Sequence, residues 1–387
     1  MRRNQNVRNL NSWRFSSGQM SVQSTLAGVA LLLFGSVALS RAQNAPSKYF
    51  VREDTRLWQA NGRRELLHAI DGSLRVVRSR RAATTYARLA QHGLSRTRVQ
   101  RSLMRFRQLL LAARSPQQLE TALQREFVFV RLAPQTHFTG YFEPIYQASR
   151  VRTTQYRYPL FRAPNLRSWP RPHPTRLQLE GANGLQVSPL LQGREIVWLH
   201  DRLEAYLAQV EGSVRVRLTD GRTLNLSYAA HTNWPYTSLG RELRESGAVP
   251  GEQLTQPELV EYFRRNPQQL SVFLPRNRRF VFFRERPSTT LTGSFGVPLV
   301  AERSMALDGM VLPPGALAIA QIDFQKPIAL QFWKSPRLTR FVFGHDQGGA
   351  IKGNARIDLF LGTGQQAGNR AGVINSMGQL YFLLLRA

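Results

Sequence analysis

Three aspartates in the last eighty or so residues stand where a carboxylate could do chemistry: Asp308 in SMALDGMVLPPG, Asp346 in GHDQGGAIKG and Asp358 in ARIDLFLGTG. Each lies between apolar, strand-like residues and a glycine turn. A carboxyl flanked by Ile357, Leu359 and Phe360 is partly desolvated, which raises its pKa and lets it hold a proton until a leaving group takes it. The same residues have a plainer use, because aspartate beside glycine forms turns in most proteins. Competing signatures are missing. The chain has no H-E-x-x-H, no Walker-type glycine loop and no G-x-S-x-G elbow, and its 7 histidines do not cluster at metal spacing. GGAIKG lacks the glycine spacing and the hydroxyl residue of a phosphate loop. Cysteine is absent, which removes disulfides, thiolate metal sites, thiol nucleophiles and the cysteine of a lipid-anchored precursor. No metal or organic cofactor is expected.

Elements of two textures must position these acids. From Thr84 to Arg131 the pattern is helical: Leu94-Ser95 opens a run with Val99, Leu103, Phe106 and Leu110 inward, and Ser115-Pro116 starts another with Leu119, Leu123 and Phe127. Arg96, Arg98, Arg101, Arg105 and Arg107 fall on other faces and read as a solvated surface rather than a polymer-binding stripe. From Phe138 onward short strands dominate. Val214 to Tyr228 alternates around Asp220-Gly221, the pattern of a tight hairpin. Further strands are expected in 278–285, 315–324, 339–344 and 378–385, with helices in 238–246 and 256–265. The Pro- and Arg-rich piece Arg162 to Arg176 has no core pattern and reads as a surface loop. Many short strands with glycine-marked turns argue for a β-barrel architecture with N-terminal helices.

At 387 residues and 42% hydrophobic content the chain can bury a large core. Its formal charge of +29 comes almost wholly from arginine, since Lys occurs only at 48, 326, 334 and 352. Such a field attracts any polyanion: nucleic acid, anionic lipid or acidic wall polymer. The N-terminus narrows that choice. Arg2, Arg3, Arg8 and Arg14 precede the apolar run Leu26 to Leu39, and Ser40 and Ala42 bracket Arg41. This is the layout of a secretory signal peptide cleaved after Ala42; a retained membrane anchor is the competing reading. Export to the periplasm or cell envelope follows, and nucleic acid is not expected as a partner.

Six ordered stretches carry a resemblance: Phe138 to Arg150 (FTGYFEPIYQASR), Gly193 to Ser213, Leu226 to Leu243, Asn277 to Glu285, Gly293 to Asp308, and His345 to Gly364. Together they resemble the membrane-bound lytic murein transglycosylase A family, and the C-terminal part resembles that family's three-aspartate domain, with Asp308, Asp346 and Asp358 in the three places. The resemblance implies a mainly β fold, a double-psi β-barrel with a smaller inserted β-domain. It divides the chain into a signal or anchor (1–42), N-terminal helices with the first part of the barrel (43–145), the insert (146–277) and the rest of the barrel (278–387).

It also implies an activity: cleavage of the β-1,4 bond between N-acetylmuramic acid and N-acetylglucosamine in peptidoglycan, leaving a 1,6-anhydromuramic end. By position Asp358 is the acid and Asp346 a supporting aspartate. One acid can suffice because the substrate's own C6 hydroxyl attacks, and well-oriented intramolecular attack reaches effective molarities of ~10⁵ to 10⁸ M. Backbone groups of Gly362, Thr363 and Gly364 or the amide of Gln209 are candidate stabilisers of developing charge. Tyr141, Gln209, Ser213, Tyr228, Asn233, Tyr236 and Ser238 supply faces and amides that sugars need, and each could equally serve packing or turns. The chain departs from the family pattern at Glu211, usually glutamine, at Val214, usually small, and at Asn233-Trp234-Pro235, usually Asn-Gly-His. Three rivals remain: a noncatalytic murein-binding protein, an exported polyanion-binding protein, and true hydrolysis with a second carboxylate.

Overall fold

The computed structural model describes residues 46–250, 254–324, 327–349 and 351–386. The signal or anchor reading falls outside the described residues. Among those described, no helix is long and apolar enough to cross a membrane.

Among the described residues thirteen strands form two sheets: β1 (Phe127–Val130), β2 (Thr136–Glu143), β3 (Ile145–Ser149), β4 (Tyr158–Phe161), β5 (Glu195–Leu199), β6 (Ser213–Leu218), β7 (Thr223–His231), β8 (Val281–Arg286), β9 (Ser304–Ala306), β10 (Leu317–Asp323), β11 (Arg337–Asp346), β12 (Arg356–Thr363) and β13 (Asn375–Leu385). The first sheet runs β1-β13-β10-β11-β9-β12-β2, and because β13 also pairs with β2 its hydrogen bonding returns on itself. The second runs β4-β5-β3-β6-β7-β8, so every one of its strands comes from residues 145–286. The chain crosses between sheets at Pro144, between β2 and β3, and returns after β8.

Helices cover the first sheet for reasons written in their caps. Ser95 accepts from Arg98 N to start Arg96–Ala112, and Ser115 accepts from Gln118 N ahead of Pro116 to start Pro116–Glu126. Their inward residues join one core with the sheet, where Phe106 and Phe341 meet with ring centroids 5.0 Å apart. The expected solvated arginine face is instead largely engaged. Arg98 donates to Leu385 O at 2.9 and 2.8 Å, Arg105 to Glu126 at 2.6 and 3.0 Å, Arg107 to Asp71 at 3.0 Å and Arg96 to Val77 O at 2.7 Å.

On the second sheet, the β6–β7 hairpin turns at Gly221 with φ +82°, as the Asp-Gly step predicts. The 162–176 piece is more than a surface loop: Trp169, His173 and Arg176 are buried, and Trp169 packs edge-on to Phe282 at 5.8 Å. Arg176 is held there by Asn277 O, Arg279 O, Gln209 and Glu180, partners that no local pattern announces. A separate core gathers Leu203, Tyr206 and Leu207 of the Arg202–Glu211 helix with Leu239, Leu243 and Phe263 of the helices Leu239–Glu245 and Gln256–Arg265.

Candidate active site

Strand register brings the acids together. Asp346 on β11 and Asp358 on β12 both pair with Ala306 on β9, and Asp358 pairs onward with Thr139 on β2. Residues directly opposite on neighbouring strands share a face, so Asp346, Ala306, Asp358 and Thr139 form one row, with the two aspartates' backbones two strand spacings, about 10 Å, apart. Ala306 between them is small, which leaves the space above it open. A register shift between Gly344 and Asp346 re-aims the end of β11 at this point.

Each carboxyl is held differently. Asp358 accepts from Thr139 Oγ1 at 2.9 Å. Burial pushes its pKa up to about 6, against the opposing pull of the Thr139 hydrogen bond and of Arg356. Asp346 accepts from Tyr141 OH at 3.0 Å, Ser294 N at 2.7 Å and Gln347 N at 2.9 Å. Burial raises its pKa as well, and those donors work the other way. Asp308 is set apart from the pair. It accepts from Met310 N at 3.1 Å and Gly353 N at 2.9 Å, closing the turn after β9 and tying it to the 353 loop.

The row opens into a cavity of about 310 Å³ that Asp346, Asp358, Tyr141 and Glu211 line together. Glu211 comes from the other side, at the end of the Arg202–Glu211 helix. Its carboxyl accepts from Phe142 N at 3.3 Å and from Gln256 Nε2 at 3.2 Å. Burial pushes its pKa up to about 8, and the charge of Asp358 adds to that rise. A second cavity of about 720 Å³ adjoins the first and shares Thr139, Gly140, Tyr236, Gln256 and Arg356 with it.

Of the other expected groove residues, Tyr236 lines both cavities and Ser238 lines the larger, where it also caps the Leu239–Glu245 helix. The rest lie outside both linings. Gln209 is buried, and its oxygen accepts from Arg176 at 2.8 Å and Val281 N at 3.1 Å. Ser213 is buried at the start of β6, and Tyr228 is an exposed residue of β7. Asn233 fastens His173, accepting from its backbone N at 3.1 Å and donating to its Nδ1 at 3.0 Å. Trp234 donates to His173 O at 2.7 Å and lies under Arg278. Gly362, Thr363 and Gly364 sit at the far end of β12, where Thr363 Oγ1 and Gly364 N donate to Glu143 at 2.9 and 2.8 Å. Sequence reasoning left out Thr139, Arg356 and Gln256; Thr139 lay inside FTGYFEP, and Arg356 stood two residues from Asp358, on the same face of a strand. Among the described residues, no cluster of His, Asp or Glu could hold a metal ion.

Comparison with known proteins agrees with this architecture. Residues 137–284 match the model of the MltA specific insert domain and residues 303–384 that of the 3D domain. The membrane-bound lytic murein transglycosylase A of Escherichia coli (strain K12) is 28% identical over 248 residues, 64% of this chain and 65% of that protein's length. Among solved structures, the lytic transglycosylase LtgG of Burkholderia pseudomallei is 31% identical, with 85% of this chain and 94% of that one covered and a TM-score of 0.52. E. coli MltA with bound chitohexaose shares the fold at 23% identity and a TM-score of 0.65, over 83% and 90% of the two chains. With the insert domain and the 3D domain matched in order, and a solved lytic transglycosylase 31% identical over 85% of the chain, the chain belongs to the membrane-bound lytic murein transglycosylase A family.

Proposed function

We propose that this protein is a lytic transglycosylase of peptidoglycan, cleaving the β-1,4 bond between N-acetylmuramic acid and N-acetylglucosamine and closing a 1,6-anhydro ring on the muramic side. The observation that carries the reading is Asp358, lining a sugar-sized cavity beside Asp346 with its pKa raised to about 6. Protonated Asp358 gives its proton to the glycosidic oxygen as the bond to C1 breaks. The muramic C6 hydroxyl bonds to C1, and the Asp358 carboxylate takes the hydroxyl proton, so the acid is restored. The nucleophile is tethered, and no second catalytic group is required of the protein. Asp346, fixed by three donors, supports the charge that develops at the ring.

The pairing that returns through β2 and β13 supports a double-psi barrel built from residues 43–145 and 278–387, with 146–277 as the insert. The names of the relatives support action at the cell wall, and the N-terminal signal pattern supports export to the periplasm, with the N-terminus as the point of membrane association if it is retained. Mass spectrometry of products from purified sacculi tests the reading. Native protein should release anhydromuramic ends, and Asp358→Asn should lower that release by at least about a hundredfold, the scale of a lost general acid. Undiminished anhydro products from the variant would remove Asp358 from its role. One observation favours a second reading: Glu211 places another carboxyl in the cavity, as hydrolysis would need. Reducing muramic ends in the same spectra would assign that reaction.

A further inference from the structure

The larger cavity has a charge that the acid cavity does not explain. Arg241, Arg244, Arg279 and Arg356 line it, and among the described residues no Asp or Glu does. The fully buried guanidiniums of Arg176 and Arg303 are matched internally, Arg176 by Glu180 and two carbonyls, Arg303 by Asp54, whereas Arg356 is half-buried. Arg356 differs. Like Arg202, Arg215, Arg286 and Arg303 it has a buried Nε without a hydrogen-bond partner, but among the described residues no hydrogen bond or ion pair engages any part of its guanidinium, whereas each of those four is held through a terminal nitrogen. Among the described residues the Arg279 guanidinium makes one hydrogen bond, Nε to Trp234 O at 2.8 Å. Among the described residues the Arg241 guanidinium meets only Glu245, at 3.7 Å, an exposed pair on its own helix.

Position gives that charge a use. Arg356 and Asp358 are two residues apart on β12, so both point from one face of the strand, and Arg356 lines both cavities. A group bound by Arg356 therefore belongs to the same sugar, or the next one, as a bond held at Asp358. A planar guanidinium with open donors matches a carboxylate in fork geometry, and burial strengthens such a pair.

We propose that this cavity is an anion-binding subsite that takes a carboxylate carried by the muramic unit, with Arg356 as its principal ligand and Arg279 and Arg241 as its rim. The inference rests on the transglycosylase reading and adds to it a means of choosing substrate. A muramic unit bears a lactyl ether whose carboxyl is either free or joined to a peptide with carboxylates of its own; a chitin oligomer has neither. The subsite would seat anionic glycan in register with the acid and give neutral glycan no such help.

The test is calorimetric binding by full-length Asp358→Asn protein, with and without Arg356→Gln, to three probes: peptide-bearing murein strands, amidase-stripped strands with free lactyl carboxylates, and chitohexaose. Arg356→Gln should weaken binding of carboxylated strands at least tenfold, less so at high salt, and leave chitohexaose within twofold, which also shows that the variant is folded. Loss with stripped strands names the lactyl carboxylate; loss confined to peptide-bearing strands names the peptide. Arg241→Gln, an exposed change that leaves the fold intact, should give a smaller loss of the same selectivity. Equal weakening of all three probes, or of none, overturns the subsite. If Arg356 serves only to tune Asp358, its replacement moves the pH profile of turnover in otherwise native protein and leaves the affinities unselective, which also overturns it. Anhydro products from the Asp358→Asn protein would count against the proposed acid and leave this comparison of affinities intact.

Discussion

The chemistry assigned to Asp358 depends on its staying protonated where most aspartates have long since ionised. With its pKa raised to about 6 by burial, the fraction able to donate falls as pH rises through that value, so turnover should decline above pH 6. Thr139 holds part of this setting. Its hydroxyl donates to Asp358 at 2.9 Å, which favours the charged form, and Thr139→Val removes that donor with little change of shape. The alkaline limb of the pH–rate profile for murein release should then move upward by about one pH unit, the scale of one hydrogen bond to a charged group. A limb that stays put or moves down would show that Asp358 is not the group being titrated. At this scale the sequence exposed the two aspartates but not their company. Asp346 and Asp358 stood out because each lies among apolar strand residues near a glycine turn, Asp346 at the end of β11 and Asp358 near the start of β12. Glu211 stood out only as a departure from the family pattern, since it reaches the cavity from a helix about 150 residues away in the chain, and Arg356 did not stand out, being one arginine among many.

Elements set the precision with which those side chains meet, and β2 is the most constrained of them. It pairs with β12 and β13, carries Thr139 and Tyr141, and packs its Gly140 against the Gln365–Gly372 helix. A Cβ at position 140 would stand 2.9 Å from both Ala371 Cα and Ala371 O, which are backbone atoms and cannot rotate away. Gly140→Ala should therefore cost about 1–3 kcal/mol, read as a lower urea midpoint, and should depress turnover as well because Thr139 and Tyr141 shift with the strand. Full activity at native stability would mean that the helix yields freely. Helix starts were readable from the chain at Ser95 and Ser115, where a cap residue precedes an apolar stripe. The helix Gly62–Arg78 was not read, because Gly72 and Ser73 interrupt its buried face with small residues. They are small for a reason outside the helix: His345 of β11 packs there, with Ser73 Oγ at 2.8 Å from its Nε2. The 162–176 piece misled for the same kind of reason, its burial resting on Arg176 and partners more than thirty residues distant.

Across the molecule, buried carboxylates fasten parts that the chain order keeps apart. Glu143, fully buried at the crossing between sheets, meets Arg215 of β6 at 3.1 Å, Arg286 of β8 and Thr363 of β12 at 2.9 Å. Glu302 gathers three arginines: Arg56 from the N-terminal segment at 2.9 Å, Arg340 of β11 at 2.7 Å and Arg370 of the Gln365–Gly372 helix at 2.7 Å. Burial alone would raise the Glu302 pKa, but Arg340, Arg370 and Arg56 outweigh it and hold it at about 2. A carboxyl with a depressed folded pKa stabilises the fold above its unfolded value, near 4.5, and that contribution is lost as pH falls toward 2. Glu302→Gln removes the charge and leaves three guanidiniums facing a neutral amide. Breaking a buried ionic cluster from one side costs about 3–5 kcal/mol, so urea unfolding at pH 7 should show a loss of that size. The variant should also lose less stability than native protein between pH 4.5 and pH 2, since the group responsible for part of that slope is gone. Equal acid sensitivity of the two proteins would mean that Glu302 does not link the N-terminal helices to the sheet that bears the acids.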